Sequence, residues 1–219
     1  MSDIEKREQY TSEGVPTITS AHRPASKVPN RLGNPGPLGL FSFASTTLIL
    51  SFYNCAVRGI ADPNVVVGMA LGVGGLAQLL AGMWEFASGN TFGATGFWLS
   101  FAALYVPGSG IADAYHGKTA EFENALGIYL ITWFLVTFLL LIASLRRNLG
   151  LISLFFFLTI TFMLLAISKF TGNLAINKAG GGVGILTALI AYYVGLAELL
   201  IRDESWFTLP LGVIPRRID

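Results

Sequence analysis

Six apolar runs follow one another along the chain, at about residues 37–57, 65–87, 91–106, 124–145, 149–168 and 179–201. In lipid, only helices and closed barrels satisfy every backbone polar group. A helix needs about 20 residues to cross a hydrocarbon layer of ~30 Å. Five of the runs reach that length. The third has 16 residues before Pro107 and falls short at about 1.5 Å per residue. Charged residues make up 12% of the 219, and hydrophobic ones 53%; a soluble domain carries about 25% charge. The expected fold is an all-α membrane protein with six transmembrane helices in one domain.

Residues 1–33 are rich in Ser, Thr, Pro and charge. They cannot bury enough apolar surface to fold alone and are expected to be a disordered cytoplasmic tail. Residues 34–204 hold the helices, and 205–219 form a second cytoplasmic tail. The first residues are polar and charged, so no cleavable signal peptide is expected. Lysine and arginine set the orientation. With the N-terminus inside, the inner set is Arg23, Lys27, Arg31, Arg146, Arg147, Arg202, Arg216 and Arg217, and the outer set is Arg58, Lys118, Lys169 and Lys178. This bias favours both ends inside, hence an even number of spans. The 107–123 loop would lie outside with Asp113, His116, Lys118, Glu121 and Glu123. A net charge of +1 gives no reason to expect nucleic acid. The lone Cys55 excludes an intrachain disulfide and reads as a small apolar helix residue.

Asn34–Leu40 reads NPGPLGL, at the edge of the first apolar run. Pro35 and Pro37 donate no backbone hydrogen bond, and each restricts the residue before it. These residues argue against a regular helix start. Irregular backbone at membrane depth survives only when buried in protein or lining a wet cavity. A polar Asn followed by a broken helix points to a permeation path.

Small residues mark expected helix–helix contacts, because lipid supplies no hydrophobic drive and close approach must hold helices together. Gly68 and Gly72 form one GxxxG pair, continued by Gly75 and Gly82; Gly180 and Gly184 form another. Phe155, Phe156 and Phe157 read as packing or lipid-facing residues.

Charged and amide side chains inside membrane spans are costly and usually face the bundle interior or water. Glu85 and Glu198 fall near the inner ends of the second and sixth runs, with Asn34 and Asn90. They either face the interior or reach the interface. Gln78 is about two turns above Glu85. Asn54, Asn173 and Asn177 lie toward the outer side. The pattern predicts a polar vestibule at each end and an apolar middle. His22 lies in the tail and His116 in a loop. No Cys/His cluster, phosphate loop, nucleophile elbow or zinc motif is visible, so neither metal, cofactor nor enzymatic chemistry is expected.

NPGPLGL resembles the NPAPLGL signature of the acetate uptake transporter family, which holds fungal acetate permeases and the bacterial succinate–acetate permease. AQLLAGMWEFASGNTFGAT at Ala77–Thr95, FFFLTITFMLLAI at Phe155–Ile167 and TGNLA at Thr171–Ala175 resemble its later motifs. The likeness covers about residues 33 to 212. It implies six helices per subunit, a homohexamer with a pore in each protomer, and a place in the plasma membrane. It implies movement of acetate and related short monocarboxylates, coupled to protons or channel-like. Of the family's three pore-pinching side chains, one maps to Phe43 and one to Leu158. The third, a Tyr on helix 3, is missing.

Relatives typically read GNTFGxTAFxSYGxFWL, whereas this chain reads GNTFGATGFWL at Gly89–Leu99. Six residues are absent between Thr95 and Gly96, worth about 9 Å of helix and a rotation of about 240°. Either the inner half of the helix stays in place and Phe97 and Trp98 take new positions, or the outer half stays and Asn90 and Thr91 are pulled inward. Lost coding sequence is the alternative to a real shortening.

A carboxylate entering an apolar constriction must shed water at a cost of several kcal/mol. Donors at the mouth or protonation of the acid lower that cost. The expected path meets Asn34, Pro35, Leu38 and Leu40 at the inner mouth, then Phe43, Gln78 and Leu158. Tyr53, Asn54 and Asn173 give outer polar contacts. Glu85 is the candidate for proton coupling, or a structural partner of the backbone near Asn34. The expected partners are a small carboxylate, a proton, membrane lipid and further copies of the chain. Two other readings stay open: a non-transporting acetate or ammonia sensor, motivated by the missing Tyr, and a channel for small neutral solutes.

Overall fold

The computed structural model describes residues 32–60, 64–98, 113–115 and 117–215. The expectations placed on residues 1–31, on 99–112, on His116 and on Arg216 and Arg217 lie outside them. All named elements are helical: α1 Gly36–Asn54, α2 Val65–Ala87, α3 Thr91–Trp98, α4 Thr119–Ser144, α5 Leu149–Thr171 and α6 Leu174–Leu199, with single 3-10 turns at Val57–Gly59 and Asp113–Tyr115. Five of them, all but α3, are long and apolar enough to cross a membrane. Helix α3 is the first half of the third apolar run.

Helix α1 corrects one expectation. It starts regularly despite its two prolines. Pro35 already has right-handed helical angles (φ −81°, ψ −13°), and its carbonyl accepts from Gly39 N at 3.2 Å. The first N–H groups of a helix have no acceptor inside it, so a proline there forfeits nothing. Asn34 supplies the cap, its Oδ1 accepting from Gly36 N at 3.0 Å.

Helix α2 is wound as a π-helix over Ala70–Ala77, a rare form that recurs at functional sites. Gly68 and Gly72 do not pack within the chain: both are exposed, and a Cβ on either would meet nothing within 4 Å. Gly75 and Gly82 on the same helix are buried.

The bundle is ordered by neighbour. Helix α1 lies along α6, α6 along α5, and α5 along α4, while α3 packs on the end of α2. The α1–α6 seam rests on glycines. A Cβ on Gly181 would meet Ser51 O at 2.8 Å and Cys55 Sγ at 2.7 Å, and one on Gly184 would collide with Ser51 Oγ. Gly180 faces Leu165 on α5. The Ser45 and Tyr192 hydroxyls share a 2.6 Å hydrogen bond across the same seam. Leu40, Ala44, Leu154, Phe155, Leu158, Ala191 and Val194 form the buried core of these three helices. Of the phenylalanine run, Phe155 is buried and Phe156 exposed.

Two turns fix the ends. Gly172 is left-handed (φ +65°), which ends α5, and Asn173 then caps α6 by accepting from Ala175 N and Ile176 N. Asn148 caps α5 in the same way, accepting from Leu151 N at 2.8 Å. The segment after α6 returns to this point. Leu149 N donates to Gly212 O at 3.0 Å, Gly150 N to Leu211 O at 3.2 Å, and Ile214 N to Arg147 O at 3.2 Å. Tyr193 Oη donates to Pro210 O at 2.7 Å.

Candidate functional site

One cavity of about 870 Å³ runs through the bundle. Along α5 it is lined from Asn148 to Lys169, about 32 Å at the rise of an α-helix. That is the thickness of a hydrocarbon core. Its middle is mainly apolar, with Leu40, Phe43, Phe97, Trp133, Phe155 and Leu158 in the wall. Its ends are polar.

One end gathers Glu85, Asn90, Arg147 and Glu198. Glu85 is buried at 4% exposure. Its Oε2 accepts from Asn90 Nδ2 at 2.7 Å. Asn90 Oδ1 in turn accepts from Arg147 Nη1 at 3.3 Å and from Gly93 N at 3.3 Å. The Arg147 guanidinium sits 4.1 Å from the centroid of Phe92, and Phe92 packs edge-on against Phe155. The amide of Asn90 thus joins an acid on α2 to a base at the start of α5. Gly36 is where the two carboxylates converge on α1: a Cβ there would collide with Glu198 Oε2 and lie 3.2 Å from Glu85 Oε1. Gly89, left-handed at φ +83°, makes the turn that brings Asn90 back beside Glu85.

Halfway along, Gln78 is buried at 3% exposure, lines the cavity and has an Oε1 with no hydrogen-bond partner among the described residues. An unpaired buried acceptor costs about 1–3 kcal/mol. With Thr46 and Thr137, Gln78 is one of the polar side chains in the wall between the two ends.

The opposite end is lined by Tyr53, Asn54, Lys169 and Asn177. Asn177 Nδ2 donates to Asn54 O at 3.0 Å, and Ser168 Oγ donates to Asn177 Oδ1 at 3.2 Å. Lys169 Nζ lies 2.9 Å from Glu123 Oε2 on α4.

Of the residues singled out in the sequence, Leu40, Phe43, Tyr53, Asn54, Gln78, Glu85 and Leu158 line this cavity, and Asn34, Pro35, Leu38 and Asn173 do not. Leu38 faces outward at 51% exposure. Asn34 Oδ1 is occupied by Gly36 N, and its Nδ2 reaches Glu198 O at 3.4 Å. Asn173 is spent on its cap. Sequence reading missed Asn90 as a bridge, and missed Arg147, Trp133, Phe92 and Lys169 as wall. For Arg147 the only signal was a cation beside a membrane end. In the described part of the third run, Asn90 lies beside Glu85, and the Phe97 ring rests on Gly39 of α1.

The sequence matches the GPR1/FUN34/yaaH family over residues 18–216. Ammonia transport outward protein 2 of Saccharomyces cerevisiae is 45% identical over 192 residues, covering 85% of this chain and 68% of that protein. Acetate permease A of Emericella nidulans is 41% identical over 201 residues, covering 84% and 67%. The chain thus spans about two thirds of the length of these fungal relatives. The solved structure of the bacterial acetate channel SatP is similar in fold, with a TM-score of 0.71 at 33% identity, covering 83% of this chain and all of that one. In sequence across most of its length, and in fold, the chain belongs to the GPR1/FUN34/yaaH family.

Proposed function

We propose that this chain carries acetate and related short monocarboxylates across the plasma membrane, through a path inside each protomer. The observation that carries the reading is the cavity, polar at both ends and mainly apolar between them, lined along the full length of α5. The names of the Emericella nidulans permease and of the SatP channel support the substrate class. Helix α3, continued by the residues after Trp98, would complete a sixth span, with both termini in the cytoplasm. Residues 1–33 and 205–219 would be the cytoplasmic tails of the six-helix domain 34–204. The assembly would be a homohexamer.

The polar ends serve different needs. An apolar wall of Leu40, Phe43 and Leu158 rejects a hydrated ion and admits a neutral acid, because desolvating a charge costs far more than desolvating a protonated carboxyl. Gln78 Oε1 can accept a hydrogen bond from a protonated acid, which a carboxylate cannot donate. Asn34, Pro35 and Leu38 would shape the inner approach rather than the wall, and Asn173 the outer one. Glu85, joined through Asn90 to Arg147, is the group proposed to exchange the proton.

The test is uptake of labelled acetate into proteoliposomes at two external pH values. Saturable uptake that rises at acid pH and exceeds protein-free vesicles supports the reading; uptake at the level of empty vesicles sinks it. A second reading, a non-transporting sensor or regulator, rests on the six-residue gap in the third apolar run. A hexamer that assembles and carries no flux would favour it.

A further inference from the structure

We infer that Lys169 is the outer capture site for the carboxylate, and that Glu123 is a built-in competitor occupying it when substrate is absent. The inference rests on the transport reading above and names a residue and a regulation that this reading lacks.

Lys169 lies in the last turn of α5 and lines the cavity, whereas Glu123 on α4 pairs with it without lining the cavity. The cation therefore stands in the wall, and its counter-ion does not. Among the described residues, Lys169 is the cation lining this end, and no Asp or Glu lines the wall there. Both acids of the wall, Glu85 and Glu198, sit at the far end. The neighbouring amide is already committed: Asn177 donates to Asn54 O and accepts from Ser168. An incoming carboxylate thus finds one cationic donor at this mouth, with the Asn54 amide and the Tyr53 hydroxyl in the same wall.

The pair is weak enough to exchange. Its side chains are 32% and 37% exposed, and half-exposed ion pairs hold marginally because solvent screens them. A substrate carboxylate replacing Glu123 keeps the charge pairing of Lys169 and loses little. A cation at the mouth of a low-dielectric channel also raises the local concentration of anions. The two effects act in opposite directions on the apparent affinity, Lys169 raising it and Glu123 lowering it.

The experiment measures half-saturation of labelled acetate uptake in proteoliposomes for the full chain and three variants. Lys169→Gln is expected to raise half-saturation about three- to tenfold, with the maximal rate near wild type. Glu123→Gln is expected to lower it. The swapped pair, Glu123→Lys with Lys169→Glu, restores the ion pair but puts an acid in the wall, so it is expected to stay as weak as Lys169→Gln or weaker. Raised potassium chloride should narrow the gap between wild type and Lys169→Gln. Equal effects of the two single variants, with recovery in the swapped pair, would mean a merely structural bridge and would overturn the inference while leaving transport intact. Wild-type protein that carries no acetate would instead overturn the transport reading and this inference with it.

Discussion

The ring of Phe97 on α3 rests on Gly39 of α1, so closely that a methyl group at Gly39 would sit 2.5 Å from its Cε1 and Cζ. Real Cβ contacts are essentially never that short, so either the Phe97 ring turns aside or one helix shifts. Gly39→Ala is expected to cost about 1–3 kcal/mol of stability, the usual range for overpacking. The measurement is thermal unfolding in detergent. Adding Phe97→Ala should recover much of the loss, because the two changes are coupled. An unshifted Tm in the single variant would refute the contact.

The glycines of α6 differ in what they face. A Cβ on Gly181 meets backbone, Ser51 O, while one on Gly180 meets the end of the Leu165 side chain. Side chains can turn aside and backbone cannot. Gly181→Ala should therefore lower Tm clearly more than Gly180→Ala. Gly68→Ala and Gly72→Ala, with open space around both positions, should leave the stability of the protomer unchanged.

Arg147 stacks on Phe92 and reaches Asn90. A lysine keeps the charge and loses the flat, forked group that makes both contacts at once. Arg147→Lys is expected to lose the stacking, worth about 0.5–1 kcal/mol at an exposed site, and to reduce acetate flux by loosening Asn90 and Glu85. Wild-type flux in this variant would show that charge alone suffices.

Glu85 gives a prediction about pH. If it accepts and releases the proton that travels with substrate, wild-type uptake rises as external pH falls. Glu85→Gln cannot titrate, so its uptake should rise less steeply than wild type between the two pH values, the remaining slope being that of the neutral acid itself. A slope equal to that of wild type would remove Glu85 from the proton path. Glu198→Gln, measured beside it, tells whether the converging carboxylate shares the role.

The segment after α6 pairs with the start of α5 through Leu211, Gly212 and Ile214. Ending the chain at Ser205 would leave the Leu149 and Gly150 N–H groups without these acceptors. The truncated protein should unfold at a lower temperature, and its flux should fall, since the lost Ile214–Arg147 bond helps to hold Arg147 at the cavity. Unchanged unfolding would show that the strap only decorates the surface.

The five spans were legible because apolar length is a crude and strong signal. Their ends were less so. Helix α4 begins at Thr119 rather than near 124, since Glu121 and Glu123 read as loop until Lys118 and Lys169 are seen to pair with them. Helix α6 begins at Leu174 rather than near 179, where Asn177 and Lys178 disguised its first turn. Pro35 and Pro37 misled by their number, because a proline's effect depends on its place in the helix. Phe43 and Leu158 were found through family likeness. Arg147 was not, because its partner Asn90 lies 57 residues away in sequence, and no local pattern reports such a meeting.

The glycine seam between α1 and α6 has a consequence for how the chain is made. The ribosome delivers the first helix long before its chief neighbour, the last one, and α1 is among the least hydrophobic of the five long helices. At about 5–20 residues per second, synthesis from Asn54 to Leu174 takes on the order of ten seconds. Through that interval Ser45, Ser51 and the bare face of α1 wait in the lipid or at the insertion machinery, unclaimed. A nascent chain that stalls before α6 therefore displays a polar stripe that the finished protein hides, a mark by which quality control can tell the incomplete product from the complete one.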